Sequence, residues 1–243
     1  MIRISTLGVA FIFALAGLLP AQAGTVLVSP TSLELTAPLQ TGAITLKTGL
    51  DEPAKVQLRI MKWSISDDGH ESLEPTNDVV ISPPFATVMP DTPYIARVIR
   101  LSNAPIHGEE NYRILIDEIL VNKQTSVRKI SFNFAVRQSM PLFFREAKFT
   151  PVDVEFKLAR SGSQILLVGH NIGDEHARLE SLTLKDSSGK TVWADTGLSG
   201  YILGHGSKTW ALSKIPPGVN LNAPLTVTAN LQNGLKLKTQ TVP

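Results

Sequence analysis

Apolar and polar residues alternate, position by position, over many short stretches of this chain. Successive side chains on a strand point to opposite faces, so the pattern predicts half-buried β-strands. It is clearest over 130–144. There Ile130, Phe132, Phe134, Val136, Met140 and Leu142 share one parity, interrupted by Gln138, while Lys129, Ser131, Asn133, Ala135, Arg137 and Ser139 hold the other. The run is about fifteen residues, where five or six is usual for a strand. A strand of that length outruns its own sheet, and the overhang of its apolar face needs cover from elsewhere, for instance from another protein.

Alternating stretches at 25–35, 43–47, 55–65, 79–82, 94–101 and 111–121 precede the long one. Pro30 inside the first implies an edge or a bulge. The stretches are separated by a turn at 49–53, the polar tip Asp67-Asp68-Gly69-His70, Pro83-Pro84, Met89-Pro90-Asp91 and a loop at 103–110. After Phe144 the pattern begins again, at 149–158, 164–168, 178–185, 191–194, 208–212, 225–231 and 235–239. Gly- and Ser-containing turns divide this second set, and Asn233-Gly234 is a hairpin signal. No helical period competes. Short strands with closely spaced turns predict immunoglobulin-like sandwiches. The expectation is an all-β chain of two such β-sandwich domains in tandem, 24–146 and 147–243, with a short link near 145–151 that sets them at an angle.

Residues 1–23 stand outside the pattern. Arg3 is followed by an apolar run at 7–19, then Pro20 and the small-x-small triplet Ala21-Gln22-Ala23. This reads as a secretory signal peptide. The run is too short for a membrane span, and no later stretch is long enough, so no membrane insertion is expected. The mature chain then starts near Gly24, soluble and outside the cytoplasm. With no cysteine in the chain, no disulfide supports the fold and the core must carry it. The 23 Lys+Arg, one of them in the leader, nearly balance the 21 Asp+Glu. Nothing in that balance points to nucleic acid or an acidic surface as main partner. Aromatics, at 6%, are too sparse for a carbohydrate platform.

Candidate chemistry is thin. His70, His107, His170, His176 and His205 lie at or beside predicted loops, and none has HExxH spacing. Neither a metal site nor a cofactor is expected. No G-x-S-x-G and no phosphate-binding glycine loop occurs. Asp67-Asp68 and Glu109-Glu110 read as solvated loop carboxylates, so the chain is not expected to be an enzyme. The notable feature is charge placed on strands: Arg97 with Arg100, Arg113 with Asp117 and Glu118, and Arg137 with Arg145. These are either ordinary surface ion pairs or groups converging between the domains, where arginine grips a carboxylate bidentately.

Ser82-Pro83-Pro84 with Met89-Pro90, Ala96 to Leu101, Tyr112 to Ile119, Val136 to Arg145, and the turn Tyr201-Ile202-Leu203-Gly204-His205-Gly206-Ser207 together carry a resemblance. Along the mature chain the sequence resembles the periplasmic chaperones of the chaperone–usher pathway, which assemble pili and fimbriae on Gram-negative bacteria. The resemblance implies two immunoglobulin-like domains in a boomerang, and a location in the periplasm. It implies clients that are pilin subunits lacking a final strand, and an outer-membrane usher as the second partner. The chaperone lends a strand, here about 127–144, to the open client. By resemblance Phe132, Phe134, Val136 and Met140 are the donated residues. Main-chain pairing supplies affinity, and alternate side chains in pockets supply register. An exposed edge of this kind also permits a self-capping dimer in the free protein.

The family anchors the client's terminal carboxylate with two basic residues. Here Ser32 and Pro141 stand at those positions, a departure that resembles the divergent branch with spore-coat-U-type pilin clients. Arg97 and Arg137 are the candidate replacements. The family's inter-domain ion-pair cluster matches Arg100, Glu118 and Arg145, with a neutral loop at 220–222 where its acid is expected. The alternative reading is a secreted two-domain β-sandwich binding protein, an adhesin or a carbohydrate-binding module. The uninterrupted long strand argues against it.

Overall fold

The computed structural model describes residues 26–66, 69–119, 136–213, 215–220, 223–232 and 240–242. In chain order the first strands are β1 (Val26–Ser29), β2 (Leu33–Thr36), β3 (Thr41–Thr48), β4 (Ala54–Ile65), β5 (Glu71–Pro75), β6 (Val79–Ser82), β7 (Phe85–Val88), β8 (Tyr94–Arg100), β9 (Glu109–Ile119) and β10 (Arg137–Arg145). The remainder are β11 (Val154–Ser161), β12 (Gln164–Asn171), β13 (Ala177–Lys185), β14 (Thr191–Ile202), β15 (Ser207–Ala211), β16 (Leu225–Leu231) and β17 (Gln240–Val242). The fold is all-β.

Two sheets make the first sandwich, one ordered β1-β3-β8-β6 and the other β2-β10-β9-β4-β5, with β7 also on β4. The second sandwich stacks β11-β12-β15 against β14-β13-β16-β17. Each has its own core. Ile44, Leu58, Val98, Tyr112, Ile114, Ile116, Leu142 and Phe144 fill the first. Val154, Leu167, Leu179, Leu184, Ile202, Trp210 and Val227 fill the second. Strand alternation places these side chains inward, and each such side chain adds about 1.5–3 kcal/mol of burial.

The single strand expected at 25–35 is two. β1 pairs with β3 and β2 pairs in parallel with β10, so the chain passes from one sheet to the other through Pro30. A residue without an N–H fits the point where ladder pairing stops. The long strand expected over 130–144 is described as β10 only from Arg137, and its earlier half, with Phe132 and Phe134, lies outside the described residues. The signal-peptide segment and the Asn233-Gly234 hairpin lie outside them too. β5 and β7 had no clear sequence signal, because prolines bound or interrupt both stretches.

Candidate functional site

β10 is the strand on which the site is built. On one side it pairs with β9 from Arg137↔Asp117 to Arg145↔Glu109. On the other, β2 pairs only with its last part, Leu142↔Leu33 to Arg145↔Thr36. Residues 137–141 therefore have no strand on their second side among the described residues. The direction of the backbone follows from two hydrogen bonds. Glu118 N donates to Val136 O at 3.1 Å, and Ala37 N donates to Arg145 O at 2.9 Å. Even-numbered residues of β10 thus turn their polar backbone to β9, and odd-numbered residues turn theirs to the β2 side. The open edge presents the N–H and C=O of Arg137 and Ser139, and the carbonyl of Pro141. Pro141 costs no ladder bond here, because its missing N–H would have faced the open side.

The even side chains of β10 enter the core of their own sandwich. Met140 is 4% exposed and packs there with Leu142 and Phe144. This corrects the expectation that Met140 is donated to a client, since it is already spent on this chain's core. Val136 is half-buried at the start of the described strand. Gln138, the polar interruption, donates from Nε2 to Val26 O at 2.6 Å, tying β10 to β1 of the opposite sheet.

The odd face of the same sheet turns to the second sandwich. Parity on β4 is broken at Trp63, which leaves the core set of Val56, Leu58 and Ile60 and is 2% exposed. It joins Phe143, Tyr201 and Leu203 in a third apolar cluster, drawn from both domains. Trp63 and Tyr201 meet edge to face at 5.4 Å. Arg113 lies over this pair, its guanidinium carbon 3.7 Å from the Trp63 ring centroid and 5.2 Å from that of Tyr201. Such stacking suits the planar guanidinium. Burial pulls the Arg113 pKa below its ordinary value, with Glu71 and Tyr201 opposing. Its one ion pair among the described residues is long, 3.9 Å to Glu71.

Beside the apolar cluster lies a charged one. Arg145 donates to Glu109 (2.8 Å) and Glu34 (2.6 Å) and reaches Glu175 of the second sandwich at 3.0 Å. Burial lowers its pKa, but Glu109, Glu34 and Glu175 together hold it above its ordinary value. His176 Nδ1 lies 2.9 and 3.0 Å from the two oxygens of Glu109.

The residues assigned from sequence to the inter-domain ion pairs thus separate. Arg100 is buried within the first sandwich, held by Glu110 at 2.8 and 2.7 Å and by the carbonyls of Ser102 and Ala104. Glu118 accepts from Val26 N at 3.2 Å. Of the three, Arg145 is the one whose described ion pairs reach the second domain, where its partner is Glu175. The two candidate anchors also part company. Arg97 is exposed on β8, in the other sheet. Arg137 is exposed beside the open edge but bonded to Asp117 at 2.5 Å, and Asp117 also accepts from Arg59 at 2.6 Å. Arg113, noted from sequence among the charges on strands but given no site role, is set directly opposite Pro141 by the register.

Two immunoglobulin-like sandwiches joined by an aromatic and ionic elbow, with a strand edge open beside it, define a two-domain β-sandwich class. The profile of the family described as "Pili and flagellar-assembly chaperone, PapD N-terminal domain" matches residues 25–149. The chain belongs to that family, and its role is that of a pilus-assembly chaperone. No curated protein matches the chain. Among solved structures it is similar to the CsuC–CsuE chaperone–tip adhesion subunit pre-assembly complex from the archaic chaperone–usher Csu pili of Acinetobacter baumannii. That match has a TM-score of 0.64 at 22% identity, covering 90% of this chain and 98% of that one. It is also similar to the SafA pilin–SafB chaperone complex of Salmonella enterica, with a TM-score of 0.63 at 15% identity over 90% and 96%. The YadV chaperone matches with a TM-score of 0.65 at 13% identity over 90% and 100%. At these identities the likeness is one of fold.

Proposed function

We propose that this chain is a periplasmic chaperone that holds pilin subunits by lending them a strand, about 127–144, and delivers them to an outer-membrane usher. The observation that carries the reading is the open edge of β10 at 137–141. Unpaired N–H and C=O groups along an edge are a template for an extended partner. Upstream, Phe132, Phe134 and Val136 continue the apolar parity and fill the client's groove. The sequence at 1–23 carries the export signal that brings the chain to the periplasm.

Arg113 is the residue that fits the client's terminal carboxylate. It sits in the cleft across from Pro141, it is desolvated, and it is poorly matched by Glu71. Arg137 is already bonded to Asp117, and Arg97 faces away on the other sheet. A charge-assisted pair in such a site is strong.

The test is co-expression with the pilin subunits encoded in the same genome and recovery on tagged chaperone. Wild type is compared with Ser139→Pro, which removes an edge N–H not used by β9, and with Phe134→Asp. Pilin recovery by wild type, and its loss in both variants while they keep their β-sheet circular dichroism, is the expected result. A wild type that recovers no pilin overturns the reading.

A further inference from the structure

Where the chain crosses between sheets, the side of the first sandwich is not fully closed. A cavity of about 190 Å³ opens there between Val28, Pro30 and Thr31 of the crossing segment and Gln138 and Met140 of β10. Ile116, fully buried and paired in register with Gln138, lies at its inner end. The lining divides between aliphatic groups, Val28, Pro30, Ile116 and Met140, and the polar Thr31, Gln138 and Ser139, and none of these described residues is ionisable. Gln138 explains why the slot persists. Its bond to Val26 O spans the two sheets and fixes their separation at this point, where an aliphatic side chain would fill the space instead.

We infer that this cavity is a recognition pocket for one aliphatic side chain of the client strand that pairs with the open edge of β10. The inference rests on the strand-lending reading. The cavity adjoins residues 137–141, the stretch of β10 with no strand on its second side among the described residues. A partner strand laid along that edge must place alternate side chains on the two faces of the sheet. On the outer face they meet Arg137, Asp117 and Arg59. On the inner face they meet the cavity, which spans Gln138 to Met140, one repeat of strand alternation, and so receives a single residue. Val28, Pro30, Ile116 and Met140 supply the apolar contact, the Gln138 amide N–H is already spent on Val26 O, and no described lining residue carries a charge, which favours an aliphatic group there over a charged one. The chaperone thus reads the client's strand as well as filling its groove, and this pocket fixes the register between them.

Because the chain has no cysteine, Thr31→Cys provides a single labelling site at the exposed rim. A benzophenone maleimide attached there is irradiated in the complex with co-expressed pilin, and the adduct is mapped by mass spectrometry. The expected adduct is at one Val, Leu or Ile of a pilin edge strand. In parallel, Thr31→Trp fills the cavity and is expected to reduce recovered pilin by about tenfold, while Thr31→Ser recovers as much as wild type. Equal recovery by Thr31→Trp, an adduct at a charged residue, or an adduct to a second copy of this chain overturns the pocket. If wild type recovers no pilin, the strand-lending reading falls, and the pocket with it. If wild type recovers pilin and Thr31→Trp does too, only the pocket falls.

Discussion

The imidazole of His176, from the second sandwich, lies flat on the ring of Phe143 from the first, with centroids 3.6 Å apart and planes 10° from parallel. Phe143 belongs to β10, the strand with the open edge. The same strand therefore carries the edge at one end and the domain junction at the other.

Phe143→Ala removes a fully buried ring from that junction. Large-to-small changes of this kind cost about 3–5 kcal/mol. Because the lost contacts join two cores, calorimetry is expected to show two unfolding transitions in the variant in place of one coupled transition.

Arg145→Ala leaves Glu109, 1% exposed at its side chain, beside Glu34 and Glu175 without its arginine. Breaking a buried pair from one side costs about 3–5 kcal/mol. Urea denaturation is expected to show that loss. Arg145→Lys is expected to recover only part of it, since an ammonium does not span the three carboxylates as a planar fork does.

Asp117 should mark the acid limb of stability. Burial raises its pKa, but hydrogen bonds from Arg137 and Arg59 outweigh burial and leave it below the ordinary carboxylate value. A depressed carboxylate stabilises the fold above its unfolded pKa, about 3.9, and that contribution is lost as pH falls through the lower folded value. Denaturant midpoints measured from pH 7 down to pH 2 are expected to fall less steeply below about pH 4 in Asp117→Asn than in wild type.

Arg113→Ala separates two roles that one side chain combines. It removes the stack on Trp63 and Tyr201 and the cation facing the cleft. With a pilin ending in its natural carboxylate, recovery is expected to fall about tenfold or more. With a pilin extended by two C-terminal glycines, wild type and variant are expected to bind alike.

The two sandwiches and most strands were legible because alternation follows directly from burial on one face of a sheet. The site was less so. The parity of 130–144 set Met140 and Leu142 on one face, as the structure has them, but parity alone does not say whose core that face enters, and for Met140 it is the chain's own. Arg100, Glu118 and Arg145 look equivalent as charges on strands, yet Arg100 is captured by the nearby Glu110. Arg113 was noted as a strand charge but given no role, because its position opposite Pro141 is a cross-strand relation, set by the β9–β10 register. Trp63 did carry a signal, since it departs from the parity of Val56, Leu58 and Ile60.

Pro141 gives the open edge a bias in composition. Arg137 and Ser139 each offer a donor and an acceptor, while Pro141 offers an acceptor alone. Two such edges laid antiparallel about Ser139 bring Arg137 of each copy against Pro141 of the other, and each Arg137 carbonyl then faces a nitrogen with no hydrogen. A strand free of proline satisfies every group of the edge and leaves only its own carbonyl opposite Pro141 without a donor. The edge thus ranks its partners by a single missing proton, favouring foreign strands over its own kind.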